Sequence, residues 1–234
     1  MNKLKEYQEE LTGKGAAEIL AWALKEFGAN RVILASSFSI EDQVLTDMLA
    51  KTSAGARIFT LDTGRQFQET YDVMQRSMDK YGIHYEVGVP AAEEVAALVA
   101  RSGPNAMYEG LSQREACCDV RKMRPLAGIL TGVDAWISGL RRDQAVTRKE
   151  MGIIEWDSRH GKYKISPLID WSEEEVWHYI RDNGVPYNAL YDRGFRSIGC
   201  APCTRATDPG EDIRAGRWWW EDAEHKECGL HKKL

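Results

Sequence analysis

The chain predicts an α/β protein built on a parallel, twisted sheet, and three features carry that expectation. Short apolar runs recur at Arg31–Ser36, Ala56–Leu61, Ile83–Val89, Trp136–Gly139 and Tyr163–Ser166. The first of them, Val-Ile-Leu-Ala at 32–35, is apolar on successive positions, as in a strand covered on both faces. Stretches of helical periodicity separate the runs, and strands alternating with helices give parallel βαβ units. In such sheets ligands bind beyond the carboxyl ends of the strands, where the strand order reverses.

Taken in order, residues 3–27 read as one helix, with Leu11, Ile19, Leu20, Ala23, Leu24 and Phe27 as its apolar stripe. Gly28 and Asn30 end it. After the first strand, Ser37–Asp42 is a loop and Gln43–Lys51 a helix. The unit repeats, with Asp62–Arg65 as loop and Gln66–Tyr81 as helix. The third strand stops at Pro90, and Ala91–Arg101 is an alanine-rich helix. Ser172 followed by Glu173, Glu174 and Glu175 opens a helix to residue 183, a serine cap with an acidic first turn. Residues 184–194 are irregular and aromatic. Three adjacent tryptophans, Trp218–Trp220, cannot all face one core, so some must pack on another surface or a ligand.

Composition removes several function classes. At 234 residues the chain can bury a full core, and 43% hydrophobic with 29% charged residues is the make-up of a soluble globule. A formal net charge of −5 argues against nonspecific nucleic-acid binding. There is no apolar run of about 18 residues and so no membrane span. The opening Met-Asn-Lys-Leu-Lys-Glu-Tyr lacks the apolar core of a signal peptide. Five cysteines without such a signal point to a reducing cytoplasm, where thiols serve metals or chemistry.

Those cysteines are the most informative residues. Cys117 and Cys118 are adjacent, Cys200 and Cys203 form a C-x-x-C pair, and Cys228 stands alone near the C-terminus. The set reads as four plus one: four thiolates on an iron–sulfur cluster and one free nucleophile. A cubane offers a separate iron to each thiolate and so accommodates adjacent cysteines. A zinc site remains open, although zinc usually takes two spaced pairs. Buried unliganded thiols or a strained vicinal disulfide remain open too. Few contacts are expected to tie down the last residues, so Cys228 is expected to be mobile. With Lys226, His231, Lys232 and Lys233 nearby it should be partly thiolate, against the opposing charge of Glu227.

Two loops carry an anion signal. Ser36, Ser37 and Ser39 can donate hydroxyl and backbone hydrogen bonds ahead of a helix N-terminus, or they can simply cap and turn. Arg141, Arg142, Arg148 and Lys149 crowd the segment after Gly139. Arginine forks suit phosphate and sulfate, although a solvated charged loop has the same composition.

Three rare motifs in one chain then resemble a known family. Cys-Cys-x-x-Arg-Lys-x-x-Pro-Leu at 117–126, the pair Cys200 and Cys203, and Glu-Cys-Gly-Leu-His at 227–231 are similar to the assimilatory sulfonucleotide reductases. The likeness is to their iron–sulfur branch, adenylylsulfate (APS) reductase, and runs from about Arg31 to His231. The resemblance implies an adenine-nucleotide α-hydrolase-like (PP-loop) fold and one [4Fe-4S] cluster per chain on Cys117, Cys118, Cys200 and Cys203. It implies reduction of APS to sulfite and AMP, with thioredoxin or glutaredoxin as donor, in the cytoplasm. By the same resemblance, Ser36, Ser37, Phe38 and Ser39 line the nucleotide together with Leu61, Asp62, Thr63, Gly64 and Arg65. Gly139 and the Arg141, Arg142 and Arg148 loop hold the phosphosulfate side. Lys122 lies between cluster and substrate. Arg214, Arg217 and His231 close over the sulfate, and Cys228 is the nucleophile. The domains follow as a nucleotide-binding and iron–sulfur domain at 1–210 and a catalytic tail at 211–234.

Ser39-Ile40 departs from the Gly-Ala or Ser-Gly-Ala that the family usually places in the first loop. The family's 3′-phosphorylated substrate, PAPS, stays open as an alternative or second substrate. A PP-loop ATP pyrophosphatase is the competing class, but its Ser-Gly-Gly-x-Asp-Ser loop is not matched by Ser37–Asp42. A non-enzymatic redox module would leave the arginine loop and the tail motif without a purpose. Neither a membrane nor a nucleic-acid partner is expected, and homo-oligomerisation is left open.

Overall fold

The computed structural model describes residues 2–53, 55–144 and 148–222. Six strands run at Val32–Ala35 (β1), Arg57–Leu61 (β2), Glu86–Gly88 (β3), Ala135–Ile137 (β4), Ile154–Asp157 (β5) and Lys162–Ile165 (β6). They form one sheet in the order β3-β2-β1-β4-β6-β5. β1 pairs in parallel with β2 and with β4, placing Leu34 opposite both Ile58 and Ile137, and β4 pairs in parallel with β6. The expectation of a parallel α/β sheet therefore holds. The order reverses between β1 and β4, which is where such a sheet places its ligand. Both serine- and arginine-bearing segments leave the carboxyl ends of those two strands.

The strands form where they were expected, with one addition. β5 runs antiparallel to β6, pairing Trp156 with Tyr163. A hairpin had not been expected there; it closes through Gly161, whose φ of 65° lies in the left-handed region that glycine adopts without strain.

The helices depart further. Residues 3–27 form two helices, Asn2–Leu11 (α1) and Ala16–Phe27 (α2). Gly13, at φ 77°, breaks the run, and Glu18 then accepts a hydrogen bond from the Gly15 N–H at 2.8 Å to start the second helix. The next helix, Ile40–Thr52 (α3), begins three residues early because Ser39 caps it, its hydroxyl accepting from the Asp42 N–H. Gln68–Tyr81 (α4) and Ala92–Ser102 (α5) match their expected spans closely. Leu111–Cys118 (α6) passes through a π-turn at Asp119–Met123 into Arg124–Ile129 (α7), and none of these had been expected as helix. Glu173–Asn183 (α8) carries the predicted cap, a reciprocal box between Ser172 and Glu175.

The chain divides into two compact units. The first comprises residues 1–60, 69–86 and 132–188, and the second 61–68, 87–131 and 189–234. In the first, α2 and α3 pack on β1, α3 also meets α8, and Ile33, Leu34, Leu45, Trp136 and Ile165 are fully buried. The second holds α5, α6, the π-turn and α7, with Met107, Cys200, Cys203 and Trp218 as a buried cluster. The expected boundary at 210/211 falls inside this second unit. Of the three tryptophans, Trp218 is buried, Trp219 exposed and Trp220 between the two, as adjacency required.

Candidate active site: a cysteine cavity and a serine–arginine cradle

In the first unit the cradle starts where β1 ends. Ser36 is buried, its N–H donating to the Phe59 carbonyl at 2.8 Å. Phe38 holds φ at 60°, a costly conformation for a bulky residue, and is kept there by burial edge-on against Tyr85, ring centroids 5.0 Å apart. Ser37 donates both its N–H and its hydroxyl to Asp42 Oδ2, each at 2.7 Å. The donors expected to face an anion are thus turned onto a carboxylate of the loop's own helix. Burial pushes Asp42 up to about 6, against those two bonds; Glu41 adds to the rise. Glu41 is itself buried and accepts from Arg141 Nε at 2.8 Å.

Gly139, just beyond β4, closes this arrangement. A Cβ there would sit 2.5 Å from Asp42 Oδ1 and 2.8 Å from Glu41 Cβ, so only glycine permits the approach. The structure therefore gathers Ser36–Ser39, Gly139 and Arg141 at one place. Arg142 pairs with Asp170 and donates to the Met151 carbonyl at 2.9 Å. Arg148 is buried and bonds the Gln144 side chain, which also accepts from the Arg141 N–H at 3.1 Å. Arg141, Arg142 and Arg148 are thus each engaged by partners in the fold rather than left to solvent.

In the second unit, the Leu61–Arg65 turn is stitched to both cysteine pairs' surroundings. Asp62 donates its N–H to the Gly88 carbonyl at 2.9 Å and accepts from the Gly64 N–H at 2.8 Å. The Thr63 hydroxyl lies 3.2 Å from Cys200 Sγ, and Arg121 donates to the Thr63 carbonyl at 2.6 Å. The Arg65 carbonyl accepts from the Ala201 N–H at 2.8 Å, while its guanidinium reaches the Pro104 carbonyl.

Cys117 and Cys118 end α6, immediately before the π-turn that carries Arg121 and Lys122. Such turns often mark functional positions in helices. Cys200 and Cys203 flank a 3-10 turn, Ala201–Cys203, closed by the Cys203 N–H on the Cys200 carbonyl at 2.9 Å. All four are free thiols, so there is no vicinal disulfide. They line one small cavity together with Arg65, Arg114, Arg121, Lys122, Arg217 and Trp218. Among the described residues five cations and no carboxylate line that cavity with the thiols. Among the described residues no three His, Cys, Asp or Glu side chains converge tightly enough to hold a metal ion, so the thiols surround a space rather than meet at a point.

The electrostatics follow from that lining. Burial raises the Cys200 thiol, but Lys122, the Thr63 hydroxyl, Arg217 and Arg121 outweigh it and leave the group below the ordinary thiol value. Cys203 is pushed up to about 12, by burial first and then by the neighbouring Cys200 and Cys118. The Nε–H groups of Arg121 and Arg217 are buried with no acceptor among the described residues, which is a marked cost for ionic donors. Arg214 and Arg217 stack on Trp218, at 5.9 and 4.6 Å from its ring centroid. Cys228 and His231 lie outside the described residues.

Sequence reasoning missed several participants. Glu41 and Asp42 read as part of a loop, and nothing local marks them as buried. Arg121 stood beside Lys122 in the quoted motif and could have been singled out from there. Thr63 as a partner of Cys200 had no sequence signal, the two being 137 positions apart.

The fold and the sequence together define the class. Residues 31–206 match the phosphoadenosine phosphosulfate reductase domain family, and the chain belongs to it. Within that class it is similar to proteins named adenosine 5′-phosphosulfate reductase. That of Allochromatium vinosum is 47% identical over 218 residues, covering 93% of this chain and 84% of the relative. That of Neisseria meningitidis serogroup A is 47% identical over 200 residues, covering 85% and 82%. Among solved structures, a phosphoadenylyl-sulfate reductase from Candida auris in a phosphate complex superimposes with a TM-score of 0.71 at 27% identity, covering 85% of this chain and 94% of that one. An FMN adenylyltransferase from Candida glabrata, at 15% identity and a TM-score of 0.58 over 84% of this chain and 64% of that one, shares the fold alone.

Proposed function

We propose that the chain reduces adenosine 5′-phosphosulfate to sulfite and AMP, using Cys228 as nucleophile and a dithiol protein of the thioredoxin or glutaredoxin class as electron donor. The observation that carries this reading is identity of 42–47% with proteins of that name over 85–93% of the chain.

The Cys228 thiolate attacks the sulfate sulfur. The bond from that sulfur to the bridging phosphate oxygen breaks, and AMP leaves with the electron pair. A cysteine S-sulfonate results, which splits one hard reduction into two exchanges. A donor thiol then attacks Cys228 Sγ, sulfite leaves with the S–S electron pair, and the donor's second thiol closes a disulfide and returns Cys228. Two electrons pass from the dithiol to sulfur. Lys122, Arg214 and Arg217 offset the charge on sulfate and on the departing phosphate. The Ser36–Ser39 loop holds the nucleotide, and Gly139 with Arg141, Arg142 and Arg148 holds the phosphosulfate side.

Cys117, Cys118, Cys200 and Cys203 would hold one [4Fe-4S] cluster. Four soft donors around a shared space, with five surrounding cations and two buried Nε–H groups that lack acceptors among the described residues, fit an anionic body that takes one thiolate per iron. When bound, such a cluster supplies a redox-active, charge-delocalised group beside Lys122. Among the described residues no helix is long and apolar enough to cross a membrane.

Anaerobic turnover with APS and with PAPS, with iron and acid-labile sulfide measured on the same preparation, tests the reading. Without reductant, APS should release about one AMP per active site and then stall, leaving a sulfonate on the Cys228 peptide. Pyrophosphate release from ATP, or stoichiometric zinc with no iron, would overturn it. Faster turnover of PAPS than of APS would reassign the substrate.

A further inference from the structure

Arg114 and Glu221 form a buried ion pair that the proposed reaction does not use. Arg114 Nε donates to Oε1 at 3.0 Å and Nη2 to Oε2 at 2.9 Å, the parallel two-bond geometry of an arginine–carboxylate fork. Their side chains are 3% and 6% exposed. Pairs this deep add little net stability, because desolvation offsets their attraction; their documented use is to fix one geometry.

The geometry fixed here joins two particular segments. Arg114 lies one helical turn before Cys117 and Cys118 on α6. Glu221 is among the last described residues and is bound into the ring formed with Trp218, its N–H donating to the Trp218 carbonyl at 2.8 Å. Trp218 in turn donates to the Cys203 carbonyl at 3.2 Å and lies 4.8 Å beneath the Arg114 guanidinium. It holds φ at 41°, a conformation that persists only where its surroundings impose it. Both cysteine pairs and residues 217–221 are therefore fastened to one another.

We propose that the Arg114–Glu221 pair is the anchor of the nucleophile's tether, a positioning device that confines Cys228 to the neighbourhood of the cysteine cavity. The proposal rests on the assignment of Cys228 as nucleophile. Cys228 follows Glu221 by seven residues, so its reach from the anchor is at most roughly 25 Å. The next attachment behind the Trp218 cluster is the bridge between Thr204 and Arg217. Were the whole segment to come loose back to Thr204, the tether would run over 24 residues. Effective concentration falls roughly as the −3/2 power of tether length, so that release lowers it about sixfold. Arg114 and Glu221 are then positioning residues: they set how often the thiolate meets substrate without touching it.

The test is the paired variant Arg114→Met with Glu221→Gln, which removes the pair without stranding a buried charge, prepared anaerobically as the full chain. Iron content and APS affinity should match the parent. The single-turnover rate of AMP release at saturating APS should fall at least about threefold, toward the sixfold limit. Tryptic cleavage after Arg214 and Arg217 should quicken about tenfold, as a local opening predicts. Arg114→Lys, which keeps the charge, should restore most of the rate. Parent-like AMP release and parent-like cleavage in a variant with full iron would overturn the proposal. If the paired variant loses iron, Arg114→Lys alone decides by the same two measurements, its expected loss being intermediate and parent-like values again overturning the idea. Should the parent release no AMP from APS, the assigned reaction fails, whereas the proteolysis still tests the anchor.

Discussion

Replacing Gly139 with alanine tests the cradle at its tightest contact. The added Cβ would lie 2.5 Å from Asp42 Oδ1, 2.8 Å from Glu41 Cβ and 3.0 Å from the Asp42 backbone nitrogen. None of these atoms is the end of a flexible chain. Asp42 is held by Ser37 and Glu41 by Arg141, and the nitrogen belongs to the first turn of α3. Ordinary contact needs more than 3.4 Å, so the helix start and the Ser36–Ser39 loop must retreat by about half an ångström to an ångström. Overpacking of this kind costs roughly 1–3 kcal/mol in stability. The functional penalty should be larger, because a displacement of about 1 Å in substrate-positioning groups can cost about 100-fold in rate. We expect kcat/KM for APS to drop about 30- to 100-fold in Gly139→Ala, with iron content unchanged because the cysteines lie in the other unit. Anaerobic steady-state kinetics with iron analysis on the same sample would show it. An alanine variant with kcat/KM within twofold of the parent would refute the reasoning.

Serine at Cys117, Cys118, Cys200 or Cys203 should each strip iron from anaerobic protein, whereas Cys228→Ser should keep it; colorimetric iron and sulfide assays read the difference. Arg148→Ala and Arg217→Ala should each lower kcat/KM by about 2–4 kcal/mol, the scale of losing a charge-assisted contact, and unchanged kinetics in both would mean that they bind no substrate. Asp42 should also give a pH signature. Its carboxyl rises from 3.8 to about 6 in the folded chain, so the fold penalises the ionised form. Stability relative to Asp42→Asn is therefore lost as pH climbs from about 4 to about 6, and the full loss persists above that. Between pH 5 and pH 7.5 the variant should gain about 1–2 kcal/mol on the parent, seen in thermal inactivation at matched heating rates. A gap that narrows with rising pH would show the sign to be wrong.

The strands were legible because a buried parallel strand is a run of apolar residues whatever its neighbours do. Val32–Ala35 and Arg57–Leu61 were bounded within a residue or two. Caps were legible where one side chain does the work, as at Ser172. The break at Gly13–Gly15 was hidden because Leu11, Ile19 and Leu20 all face the core on either side of it, so the stripe runs on across the gap. Residues 111–129 escaped for the opposite reason: cysteines and cations aimed at a cavity leave no amphipathic stripe to count. At the site, the cysteines were visible from their spacing and the buried carboxylates were not. Whether Asp42 sits in water or beside Gly139 is decided by a contact 97 positions away in the chain.

The π-turn after Cys118 carries a consequence for how this motif can vary through descent. Each residue advances an α-helix by about 100°, so the extra residue in a wide turn resets the rotational phase of everything after it. Lys122 reaches the cavity lining only in that reset phase. Deleting one residue between Cys118 and Lys122 would restore plain α-helical hydrogen bonding and swing the ammonium about a quarter-turn away from the thiols. Inserting one would do the same in the other sense. The three-residue interval between the second cysteine and the lysine is thus a rotational setting, open to substitution and closed to any change in length.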